Sequence, residues 1–132
     1  MRWWWRSSLL VFAVAATISV VGAPAQATVP PKNVGWLYTE GGGGAAFFDA
    51  DLAGHAGWEK ITVCDNVANR MGVGVHVYGD LGQEAGVVDP SSDGHCASIE
   101  GNLFPDGYGV DVHVFEYKGD LNTNYNDGRG VA

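Results

Sequence analysis

The chain predicts an all-β fold, a small antiparallel β-sandwich or barrel with one disulfide, and three observations carry that reading. Six or seven short segments alternate apolar and polar residues with a period of two, at intervals of 8 to 15 residues. Between them fall most of the 20 glycines, together with Asn and Asp, the residues that tight turns require. Outside the N-terminal region, no stretch of helical length shows an apolar period of 3.6. No internal repeat appears and the connections are short, so the body of the chain reads as one domain.

The N-terminus is set apart. Met1-Arg2-Trp3-Trp4-Trp5-Arg6 carries two positive charges, Leu9 to Val21 is almost wholly apolar, and Ala25-Gln26-Ala27 offers small residues where signal peptidase reads. Residues 1–27 are therefore expected to be a secretory signal peptide. The apolar run is shorter than the roughly 20 residues of a membrane span and is broken by Gly22 and Pro24. A single secreted domain over 28–132 is expected to follow. It would begin with a short extended arm over 28–33 (Thr28, Val29, Pro30, Pro31, Lys32 and Asn33).

Val34 to Glu40 reads as the first strand, ended by Gly41 to Gly44, because four glycines hold no regular structure cheaply. Ala45 to Asp49 is the second, followed by a loop to Gly57. Trp58 to Asn66 is the best strand in the chain, with the β-branched residues Ile61, Thr62 and Val63 leading to Cys64. Met71 to Tyr78 alternates cleanly, placing Val73, Val75 and Val77 towards the core and His76 and Tyr78 away from it. Ala85 to Val88 is strand-like within a turn-rich stretch, and Cys96 to Ile99 makes a short strand. Tyr108 to Tyr117 alternates again, with its valines on one face and Asp111, His113, Phe115 and Tyr117 on the other. Residues 119–132 are rich in Asn, Asp and Gly and read as a flexible polar tail.

Charge narrows the partners. The chain holds 7 basic and 15 acidic residues, for −8. Loss of Arg2 and Arg6 with the signal leaves 5 against 15, for −10. Such a field repels nucleic acid and anionic membrane surfaces, so neither is expected as a partner once the signal is removed. Two cysteines in an exported chain point to a disulfide, Cys64 to Cys96, closing a loop of about 32 residues and joining the two halves of the domain.

Chemistry-bearing patterns are thin. No serine sits in a Gly-x-Ser-x-Gly elbow. Asp49, Asp51, Glu59 and Asp65 are the carboxylates a glycosidase reading would draw on, but a domain this small has little material for a cleft. His76 and His113 lie on the non-valine faces of their strands and would meet if those strands pair, near Tyr78 and Asp111. The usual metal-ligand spacings are nevertheless absent, and neither a metal nor another cofactor is expected. Asp120 to Gly128 begins like a calcium loop, then fails at Tyr125 and Val131, where glycine and a bidentate glutamate belong. What remains is an aromatic surface of Phe115 and Tyr117 beside Asp111 and His113, with Tyr78 near, of the kind that binds protein.

The Gly-rich stretch before Phe47-Phe48-Asp49-Ala50-Asp51-Leu52, then Glu59 to Asp65, the valine-glycine strand and a second lone cysteine resemble a family. The resemblance is to small secreted two-cysteine β proteins of Streptomyces and related actinobacteria, over about residues 34 to 117. Some of these resemble the adaptor subunits of secreted umbrella toxin particles. The resemblance implies that residues 28–33 form a docking arm and the β domain a hub. The expectation is a non-catalytic extracellular protein-binding module, an adaptor subunit of a secreted toxin complex, with secreted protein partners. A secreted inhibitor of a protease or glycosidase stands second, and a small secreted metal-binding protein or enzyme third.

Overall fold

A computed structural model describes residues 29–132. The expected signal peptide and Thr28, first residue of the expected arm, lie outside the described residues. Among the described residues there are eight strands and no helix: β1 (Val34–Tyr38), β2 (Gly44–Asp49), β3 (Glu59–Asp65), β4 (Gly72–Gly79), β5 (Glu84–Asp89), β6 (Cys96–Gly101), β7 (Gly109–Lys118) and β8 (Leu121–Val131). They form two antiparallel four-stranded sheets, β1-β2-β3-β6 and β5-β4-β7-β8. The sheets stack as a sandwich and do not close into a barrel.

Alternation decides which side chains go inside. Ala46 and Phe48 of β2 and Ile61 and Val63 of β3 meet Val73, Val75 and Val77 of β4 and Val110, Val112 and Val114 of β7, all within the core. Phe104, from the β6–β7 connection, packs edge-on to Phe48 at 6.1 Å, and Ala50 and Ala132 join the same cluster. On β1, Val34 and Leu37 both face inward although they are three positions apart, an offset that regular alternation would place on opposite faces. That requires the irregularity in the β1–β2 ladder between those two positions.

One expectation changes. Residues 119–132 are not a flexible tail: Leu121–Val131 is the longest strand, paired along β7 from Lys118↔Leu121 to Gly109↔Val131. Its propensity is poor, but its place at a sheet edge demands no apolar face, and the ladder to β7 outweighs local preference. Its glycines are needed where β1 comes close, since a Cβ at Gly128 would lie 2.7 Å from Val34 Cγ1 and one at Gly130 2.6 Å from the Lys32 carbonyl oxygen. A bulge near Asn124, held at φ 53°, lets the strand continue.

The expected staple is present. Cys64 and Cys96 are bonded, with Cα atoms 4.3 Å apart. They are direct partners of the β3–β6 ladder, so the bond ties adjacent strands of one sheet. It still closes the whole excursion that leaves this sheet, builds β4 and β5 in the other, and returns.

Candidate functional site

The outer face of the β5-β4-β7-β8 sheet carries the expected aromatic surface. The register places His76 opposite His113, Tyr78 opposite Asp111, Gly74 opposite Phe115 and Gly72 opposite Tyr117. The glycines matter because the rings lean across the strands. A Cβ at Gly74 would sit 2.6 Å from Phe115 Cζ, one at Gly72 2.5 Å from Tyr117 Cζ, and one at Gly86 2.8 Å from His76 Cδ2. Each glycine is the seat of a ring from the next strand, so the rings shingle in one direction, from β7 over β4 and from β4 over β5.

The result is a continuous ladder of five rings. Tyr125 meets Phe115 at 6.0 Å, Phe115 meets His76 at 5.4 Å, His76 meets Tyr78 at 6.0 Å, and Tyr78 meets His113 at 5.4 Å. These residues and Asn122 line a shallow open groove of about 350 Å³. Side-chain hydrogen bonds fix the ring orientations: His76 Nδ1 contacts Tyr78 Oη at 3.2 Å, and His113 Nδ1 contacts Asp127 Oδ1.

The expected residues divide. Tyr78 and His113 belong to the groove. Phe115, expected to project, is only 6% exposed, because Tyr125 and His76 cover it, and it serves as the floor. Tyr117 lies over Gly72 and lines a separate hollow with Asp65, Arg70 and Ser91. Asp111 is occupied by Arg129, whose Nη1 is 2.7 Å away while its Nη2 donates to both oxygens of Asp80 at 2.8 Å. Hydrogen bonding to Asp111 first, and then to Asp80, pushes the Arg129 pKa further above its already high value.

The arm stands apart from the groove. Lys32 exchanges backbone hydrogen bonds with Val131, at 2.8 and 3.0 Å, and Asn33 Oδ1 accepts from the Ala50 amide at 2.8 Å. Val29, Pro30 and Pro31 are exposed, and Val29 and Pro31 border a hollow of about 200 Å³ with Asp51, Asp106 and Ala132.

The other sheet presents a second aromatic patch. The β1 irregularity that turns Val34 and Leu37 inward turns Trp36 and Tyr38 outward, about half exposed. Trp36 packs on Phe47 at 5.5 Å. Trp36 and Tyr38 flank a groove of about 220 Å³ lined also by Ala45, Asn66 and the Cys64–Cys96 disulfide. Simple alternation in Trp36-Leu37-Tyr38 puts both rings on one face, which was the available signal.

The carboxylates do structural work. Glu59, fully buried, accepts from the amides of Leu103 (2.7 Å) and Phe104 (3.2 Å) through Oε2, while Oε1 has no protein partner. Burial above all, with a smaller push from Asp106, raises its pKa despite those hydrogen bonds. Glu59 and Asp65 sit at opposite ends of β3, about 20 Å apart at strand rise, against the roughly 5–9.5 Å that glycoside hydrolysis uses. Glu116 continues the inward parity of Val110, Val112 and Val114. Its Oε1 accepts from Thr39 Oγ1 (2.7 Å) and Gly43 N (3.1 Å), its Oε2 from Asn69 Nδ2 (3.2 Å). Burial opposes its ionisation more than any other single influence. The hydrogen bonds from Thr39, Asn124, Gly43 and Asn69 together prevail and hold its pKa below the usual range.

Among the described residues, no group of three or more His, Cys, Asp or Glu side chains is placed to hold a metal ion. The 120–128 segment is mostly strand, so its oxygen-bearing side chains alternate between faces instead of converging. No protein-family model, no characterised protein and no solved structure matches this chain.

Proposed function

We propose that this chain is a non-catalytic extracellular protein-binding module that bridges two partners, as an adaptor subunit of a secreted toxin complex does. One observation carries the reading: ring-bearing patches lie on both outer faces of the sandwich, Tyr78, His113 and Tyr125 on one and Trp36, Tyr38 and Phe47 on the other. Exposed aromatics are the side chains that contribute most at protein interfaces, and a bridge needs two such faces that do not compete for space. A disulfide also suits an oxidising compartment. An acidic surface favours basic partners and speeds their encounter.

Co-purification from culture medium tests this. Wild-type protein should elute from size exclusion with two partners. Tyr78→Ala combined with His113→Ala should release one, and Trp36→Ala combined with Tyr38→Ala should release the other, each with the thermal midpoint nearly unchanged. A one-to-one complex with a protease or amylase, lost through one face only, would replace the adaptor by an inhibitor. A free monomer with no partner would end the binding-module reading.

A further inference from the structure

The two flanks of the sandwich are built differently. On the flank where β1 meets β8, the chain entering β1 bonds to β8 through Lys32 and Val131, the Glu40 amide donates to the Asn124 carbonyl at 3.1 Å, and Asn126 Nδ2 donates to the Tyr38 carbonyl at 2.8 Å. Both of those strands are also irregular, with register breaks in the β1–β2 and β7–β8 ladders. Covering and bulging are two ways in which proteins protect sheet edges from foreign strands.

The opposite flank, where β5 and β6 are the edges, has neither device. Their ladders run unbroken, from Glu59↔Gly101 to Cys64↔Cys96 for β6 and from Val73↔Asp89 to Tyr78↔Glu84 for β5. Neither strand contains Pro or Lys. Among the described residues, no backbone–backbone hydrogen bond outside the ladders involves either one, although the Asp89 carboxylate at the end of β5 accepts from the Asp65 amide at 2.7 Å. The Cα separation of 4.3 Å at Cys64–Cys96 identifies that pair as non-hydrogen-bonded, where the closer spacing is found. By alternation, the N–H and C=O groups of Cys96, Ser98 and Glu100 therefore point away from β3, towards the side of β6 that carries no further strand of its sheet. The disulfide fixes the start of β6 to β3, so this edge is held in strand geometry before anything binds.

We infer that β6 is a strand-addition site for an extended segment of a basic protein partner. This deepens the binding-module reading and rests on it. The added strand would extend the β1-β2-β3-β6 sheet past β6. Its inward side chains would cover the partly buried Ala97 and Ile99 of β6 and approach Val87 of β5, which calls for apolar residues. Its outward side chains would run beside Ser98 and Glu100, and the Glu100 carboxylate is still half exposed in its 3.5 Å ion pair with Lys60. That calls for Lys or Arg at alternate positions. Charge selects a partner over a second copy of this chain, because two copies of a domain with 5 basic and 15 acidic residues repel one another. Main-chain hydrogen bonds supply affinity in this mode and the alternating side chains supply selectivity.

The probe is a blocked peptide of alternating valine and lysine, about nine residues long, enough to span β6. Fluorescence anisotropy should show it binding the purified protein. A valine–glutamate version and a valine–lysine version broken by a central proline should bind roughly tenfold or more weakly. Amide exchange should slow at Ser98 and Glu100 when the peptide is present. Ser98→Pro removes only an outward N–H, a position where an edge strand accepts proline, so it should keep the native fold and lose about tenfold in peptide affinity. Equal binding of the proline-broken peptide, undiminished binding by Ser98→Pro, or protection on β4 and β7 instead of β6 would overturn the inference. So would a dimer of this chain that Ser98→Pro dissociates, since the occupant would then be a second copy. Partners that co-purify with Ser98→Pro but not with the ring variants would sink the edge site while leaving the binding module standing.

Discussion

Replacing Cys64 and Cys96 together by serine should lower stability by about 3.7 kcal/mol, the loop-closure entropy of a cross-link whose ends are 32 residues apart in sequence. The two strands it joins are already held by an unbroken six-pair ladder, so the native state should change little and the effect should lie in the unfolded ensemble. With an unfolding entropy of roughly 0.2 kcal/mol/K for a domain of this size, the midpoint should fall by about 18 °C. Calorimetry of the wild-type protein and the double variant measures this directly, and the double substitution avoids leaving a reactive free thiol. Stopped-flow refolding separates the mechanisms. An unfolded-state effect predicts slower refolding of the variant and a larger denaturant m-value, because its unfolded chain exposes more surface. A fall of only a few degrees, or a full fall with refolding unchanged and unfolding accelerated, would refute the entropic account and place the effect in the folded sheet.

Glu116→Ala should cost about 3 kcal/mol by urea denaturation at neutral pH, because Thr39, Gly43 and Asn69 lose a buried acceptor. The Glu116 pKa is lower in the folded protein than in the unfolded chain. Its contribution is therefore present above the ordinary glutamate range and is lost as pH falls through the folded value, so the gap between wild type and Glu116→Ala should narrow in acid. Glu59 runs the other way: its folded pKa is raised, so wild type loses stability as pH climbs through that raised value. Glu59→Gln, which stays neutral, should gain relative to wild type over the same rise, seen as diverging thermal midpoints. Gly74→Ala should cost about 1–3 kcal/mol by overpacking against Phe115, and the same substitution in a Phe115→Ala background should cost little, a coupling that a double-mutant cycle reads.

The valine strands were legible because their inner faces meet only apolar neighbours. Val73, Val75 and Val77, like Val110, Val112 and Val114, lie on the side that alternation assigns them. The strand over Leu121–Val131 was not legible, and the reason is physical. Asn122, Asn124, Asn126 and Asp127 carry no strand preference of their own, and what holds them is a partner, β7, more than propensity. Glu116 was legible in principle. It sits at the next inward step after Val114, and a charged residue at an inward position implies buried donors, which Thr39, Gly43 and Asn69 supply.

The binding face was half visible for a reason that bears on how such faces should be sought. Alternation identified Phe115 as outward-facing, yet an outward side chain on a sheet is exposed only if nothing leans over it. Whether something leans depends on the opposite residue: glycine at 74 leaves room for the Phe115 ring to lie down, and Tyr125 and His76 then close over it. Gly72 treats Tyr117 likewise and Gly86 treats His76, so the glycines of β4 and β5 set the tilt of the whole ladder. An alternating run of glycines facing away from the core is thus a record of rings on the neighbouring strand. In Gly72-Val73-Gly74-Val75 that record was present before any register was known. It lays Phe115 flat as the floor and leaves Tyr78 and Tyr125, exposed above it, as the side chains a partner meets first.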